Sequence, residues 1–163
     1  MLLYLSTICI VDSLKFNLTK HRSMKYKYFI FFCFLASILF HHLFGYIGHY
    51  GYDDMEYAHV AARLISGEFD ADNHYSFRIT LVGLTALSYK LFGINDWASA
   101  LPALIFSIGT LLLVFQILRN ESWPILTIGL ALFTFNNWTF FYSDKLMPDV
   151  AVTFFAFLFC YVV

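Results

Sequence analysis

Charge is what this sequence has least of. Asp, Glu, Lys and Arg make up only 13% of its 163 residues and balance to a formal net charge of −1, so it lacks the basic surface that nucleic-acid binding requires. The three cysteines, Cys9, Cys33 and Cys160, sit singly in apolar surroundings without metal-type spacing, and neither disulfides nor thiolate ligands are expected of them. The histidines form no H-x-x-x-H or H-E-x-x-H pattern, so no metal site is expected either. No internal repeat is present. What the chain does have is apolar and aromatic surface: 60% hydrophobic residues, 21% aromatic ones and a mean hydropathy of +0.69. This is the composition of a polytopic, all-α membrane protein.

Within residues 1–27 an apolar run from Met1 to Val11, too short to span, is followed by a polar, basic segment carrying Lys15, Lys20, Arg22, Lys25 and Lys27, and Met24 is a more natural start than Met1. By the positive-inside rule this segment is cytoplasmic, and residues 28–47 are a first transmembrane helix that emerges outside. An external, mostly acidic loop follows over residues 48–97. Residues 98–118 and 123–142 are each long enough to cross a bilayer, and a last apolar run stops at Val163 after too few residues to finish a crossing. The chain therefore reads as the amino-terminal part of a longer protein. Within the loop, residues 79–92 are apolar but fall short of the ~20 residues a span needs. If they do not cross, the later acidic cluster of Asp144 and Asp149 shares the external face with the loop; if they do, it is cytoplasmic.

The loop opens on Gly51-Tyr52-Asp53-Asp54-Met55-Glu56-Tyr57. Tyr57, Val60, Ala61, Leu64 and Ile65 recur at helical spacing, Asp53 and Glu56 have the spacing of a capping box, and Gly67 is a natural stop. A short amphipathic helix along the membrane surface is expected. One aspartate accounts for an N-cap; the second calls for another use. Asp149 can likewise be a helix cap or a functional acid at the edge of an apolar run. Arg78 is either a snorkelling interfacial arginine or an anion ligand.

These residues resemble the GT-C class of membrane glycosyltransferases, and within it the protein O-mannosyltransferase and lipid A aminoarabinose transferase group. The similarity rests on Asp53-Asp54 followed by Tyr57 directly after the first span, then Gly67 with Phe69, Arg78 before an apolar stretch, Tyr89-Lys90-Leu91-Phe92-Gly93, Trp97, Leu101-Pro102-Ala103-Leu104, and Ser143-Asp144-Lys145-Leu146-Met147-Pro148-Asp149. It covers the chain from Tyr28 onward. The resemblance implies transfer of a sugar, with inversion, from a polyprenyl-phosphate donor to an acceptor glycan, lipid or protein at the external face of a bacterial inner membrane. Such a reaction needs a carboxylate to take the acceptor's proton and positive charge to stabilise the departing phosphate. On this basis Asp53 or Asp54 is the general base, Asp53 matching the family's first acid better. Arg78, with His74 and Lys90 behind it, holds the donor phosphate, and Tyr57, Asp144 and Asp149 support the site. Some members use a divalent ion and others do not, so no cofactor follows from the resemblance. The sequence departs from the group at Ala100, where an arginine is common, and at Ile79, where proline is common. The alternative reading is an ion- or proton-coupled transporter in which Asp144, Lys145 and Asp149 line the path.

Overall fold

The computed structural model describes the backbone of residues 2–163 and the side chains of residues 24–163. Cys9 and most side chains of the basic segment expected over residues 1–27 lie outside the described residues. Every regular element among the described residues is helical: α1 (Leu2–Gly45), α2 (Gly51–Ser66), a 3-10 turn (His74–Phe77), α3 (Ile79–Phe92), α4 (Asp96–Leu118), α5 (Trp123–Thr134), α6 (Asn137–Tyr142) and α7 (Pro148–Val162). Two stretches, Met24–Gly45 of α1 and the whole of α4, are long and apolar enough to cross a membrane.

The helices form two layers, each with its own apolar core. In the bundle layer Phe31, Phe34 and Ile38 of α1 meet Leu104, Leu111, Val114 and Phe115 of α4 and Leu126 and Leu130 of α5. In the cap layer Tyr57, Val60 and Ala61 of α2 meet Tyr75 of the 3-10 turn, Leu81, Val82, Ala86 and Tyr89 of α3, and Ala98 and Leu146. One side of α3 is thus buried against α2 and α4, while Leu84, Leu87, Leu91 and Phe92 remain exposed. At 14 residues α3 is about 21 Å long, which suits a cap helix better than a span.

Polar groups fix the bundle at both ends. The Lys27 ammonium donates to the carbonyls of Arg119 (2.8 Å) and Glu121 (2.6 Å), satisfying acceptors left open where α4 ends. At the opposite end the Tyr46 hydroxyl donates to the Asp96 carbonyl, 2.8 Å away. Arg119 therefore lies at the Lys27 end, and α2 with Asp53 and Asp54 lies at the other, where the Leu146 N–H reaches Asp54 and so brings the segment of Asp144 and the start of α7 to the same end.

The α3–α4 corner is built from one asparagine and one proline. The Asn95 side chain accepts from Ala98 N–H at 2.8 Å and donates to the carbonyls of Phe92 and Gly93, so it closes α3 and opens α4. Pro102, inside α4, has no N–H to give the carbonyl of Ala98 one turn earlier. The buried Ser88 hydroxyl of α3 takes that place at 2.7 Å, so the proline's missing donor becomes an inter-helix tie. We expect Ser88→Ala to cost about 1–2 kcal/mol in unfolding experiments, since it orphans a buried carbonyl. In a Pro102→Ala background, where the helix supplies its own donor, the cost of Ser88→Ala falls to a few tenths of a kcal/mol.

Two expectations are corrected here. Residues 123–142 are not one helix: α5 closes with the Phe135 N–H on the Ala131 carbonyl, and the Asn136 side chain accepts from Trp138 N–H at 3.0 Å to start α6. Nor do Asp53 and Glu56 form a capping box. The helix begins earlier, at Gly51 with Tyr50 as N-cap, and it is the Asp54 carboxylate that reaches back to the Tyr50 N–H at 2.9 Å. The expected stop is present, with Gly67 in the left-handed conformation (φ 79°) and its N–H on the Arg63 carbonyl.

Candidate active site

The two adjacent aspartates of α2 point to different environments. Asp54 shares the inward stripe with Tyr57, Val60 and Ala61 and is 1% exposed. Its second oxygen accepts from the Leu146 N–H at 2.5 Å, so this carboxylate ties the start of α2 to the segment before α7. His49 sits 3.7 Å from Asp54 on one ring nitrogen and 3.7 Å from Asp96 on the other. The neighbouring Asp54 carboxylate raises the His49 imidazole above its ordinary range, against the opposing effect of partial burial. Each oxygen of Asp54 thus accepts one backbone N–H.

Asp53 is exposed, one helical position away. One of its oxygens accepts from the Tyr75 hydroxyl at 2.7 Å, and its side chain forms part of the wall of a cavity of about 570 Å³. Asp149, in the first turn of α7, is on the same wall, together with Ser107 and Thr110 of α4, Phe133 of α5 and Trp138, Thr139 and Tyr142 of α6. The cavity extends down the bundle: Ser107 lies about 16 Å along α4 from its start at Asp96. Its wall is mixed, with hydroxyls on α4 and aromatic rings on α5 and α6, as expected of a site that orients a partly apolar ligand.

The other residues singled out from the sequence fall outside this wall. Arg78 places its guanidinium 5.2 Å from the centre of the Tyr57 ring, and no carboxylate pairs with it among the described residues. Tyr57 is wholly buried and its hydroxyl has no partner among the described residues, so it serves through its ring, under Arg78 and against the edge of Tyr75. His74 is exposed and stacks on Tyr75 with ring centres 3.9 Å apart. Lys90 is exposed in the last turn of α3, about 18 Å along the helix axis from Arg78. Asp144 is buried in an ion pair with Lys145 (2.9 Å) and lies 3.4 Å from His42. Asp149 caps nothing: Met147 is the N-cap of α7, Pro148 takes the first helical position, and the Asp149 side chain remains exposed.

Two features of the site escaped the sequence reading. Ser107 and Thr110 lie on the buried side of an otherwise apolar α4, and hydroxyls three residues apart in a span-length run were a usable signal. Tyr75 gave no such signal, because its partner lies 22 residues away across a loop. The Asp53 carboxylate to which it is hydrogen-bonded pushes the Tyr75 phenol up to about 12, so it remains a donor throughout the neutral range.

Comparison with family models, curated proteins and solved structures gives no match to this chain.

Proposed function

We propose that this chain is an integral-membrane glycosyltransferase of GT-C type that moves a sugar from a polyprenyl-phosphate donor to an acceptor at the external membrane face, with inversion. The observation that carries this reading is that Asp53 and Asp149 stand on one cavity that runs along the span-length helix α4 and is walled on its other sides by the shorter helices α5, α6 and α7. A lipid-linked donor needs that combination: carboxylates at the mouth for the sugar chemistry and an apolar depth for the prenyl chain. In the proposed reaction the acceptor hydroxyl attacks the anomeric carbon, forming a new C–O bond as the bond to the phosphate oxygen breaks. The hydroxyl proton passes to the oxygen of Asp53 not engaged by Tyr75, and the electron pair leaves with the polyprenyl phosphate. Arg78 stands outside the cavity wall; resting on Tyr57 and without a carboxylate partner among the described residues, it is the cation we assign to the phosphate as it leaves at the mouth.

The reading is tested with a photoactivatable polyprenyl-phosphate sugar added to the protein in liposomes. Crosslinks are expected on α4 and α7, around Ser107 and Val150, and excess unlabelled donor should remove them. Labelling that the donor does not compete, or that falls on outward positions such as Leu132 and Phe159, overturns it. Donor-independent proton or ion flux through the same liposomes would then favour a transporter.

A further inference from the structure

The oxygen of Asp53 that meets the cavity is selected by a neighbour. An exposed carboxylate on a helix surface turns freely about its side-chain bonds, and a general base must instead be held within hydrogen-bond reach of the proton it takes. The group that restrains Asp53 is on a segment with its own fixed geometry. The Tyr75 N–H is held by the Asn73 side chain at 3.0 Å, the Ser76 hydroxyl donates to the Asp70 carbonyl at 2.6 Å, and the Ser76 N–H donates to the Asn73 carbonyl at 2.9 Å. The Tyr75 ring is clamped as well, edge-on to Tyr57 with centres 5.0 Å apart, and it is only 8% exposed. Its hydroxyl therefore has a position set independently of Asp53.

We propose that Tyr75 is the positioning residue for Asp53: its hydroxyl ties down Oδ1 and thereby presents Oδ2 to the cavity. The inference rests on the transferase reading for the reaction that Oδ2 serves, and on geometry alone for the restraint. The other charged or titratable groups around Asp53 are Tyr52 and Glu56 on α2, His74 and Arg78 beside Tyr75, and Tyr142 and Asp149 on the cavity wall. Tyr75→Phe changes none of them and keeps the ring against Tyr57.

The experiment measures side-chain order at Asp53 by carbon-13 relaxation of its Cβ in aspartate-labelled protein in micelles, with the Asp53 signal identified by its loss in Asp53→Asn. Tyr75→Phe is expected to lower the order at Asp53 while leaving that of the buried Asp54 unchanged. In the transfer assay the same variant is expected to lower kcat between about 10- and 100-fold with KM unchanged. Asp53 order that is the same in Tyr75→Phe as in the parent overturns the inference, whatever the activity. Order that falls in a protein whose parent form transfers no sugar leaves the restraint standing and removes the transferase reading.

Discussion

Replacing Asp53 with Asn is expected to lower the rate of sugar transfer at least about 100-fold and to leave thermal unfolding unchanged. The two halves of this result have separate causes. Asparagine is nearly isosteric, its amide oxygen still accepts from the Tyr75 hydroxyl, and position 53 is exposed, so no packing is lost. The amide cannot take a proton, however, and general-base catalysis is worth roughly 10²–10⁴-fold in rate. Since the base acts only as the acceptor hydroxyl attacks, the loss belongs in kcat, and the KM for the polyprenyl-phosphate sugar should stay within about twofold. Donor photolabelling should also persist, because the prenyl chain and phosphate do not depend on Asp53. Steady-state transfer with labelled donor, alongside a melting curve in detergent, gives both numbers. A variant with unimpaired transfer would rule out Asp53 as the base.

The largest effect on stability is expected from Asp144→Ala. Asp144 and Lys145 are nearly sealed from solvent, with side chains 0% and 2% exposed. Among the described residues the lysine ammonium has no other hydrogen-bond partner, and it lies near the rings of Tyr46, 4.7 Å away, and Phe141, 5.8 Å away. Removing the carboxylate strands a buried cation, a change that costs about 3–5 kcal/mol when no replacement is available. For a chain of this size that corresponds to a fall in Tm of roughly 10 °C. The double variant Asp144→Ala with Lys145→Met should recover most of the loss, because it exchanges a stranded charge for apolar packing. Thermal unfolding of the two variants and the parent decides the matter: equal loss in the single and double variants would mean that the carboxylate acts through His42, and that the pair with Lys145 contributes little.

How far the sequence could be read depended on whether the signal was local. Gly67 stops α2 because its own backbone conformation favours glycine, and a glycine after an amphipathic run says so directly. The span-length runs within α1 and α4 are likewise plain in hydropathy alone. The break between α5 and α6 was masked because the rings of Phe135, Trp138 and Phe140 keep the hydropathy of a continuous span, while the decisive event is one Asn136 side chain bonding two residues ahead. Choosing between Asp53 and Asp54 was half legible: Asp54 stands three residues before Tyr57 and seven before Ala61, on the inward stripe, and Asp53 does not. What Asp54 does there was not legible, because its partner is the Leu146 N–H, 92 residues further on. Ser88 and Pro102 pose the same difficulty: each is unremarked in its own helix, and the reason for the pair appears only where α3 crosses α4.

That distant bond to Asp54 has a mechanical consequence. Asp53 precedes Asp54 by one residue, and Asp149 follows Leu146 by three, so a single hydrogen bond gauges the separation of the two carboxylates that face the cavity. The gap between them cannot widen by sliding α7 away from α2 unless this bond ruptures or its two ends travel as one body. Moving the start of α7 away from α2 therefore means breaking the latch at Asp54.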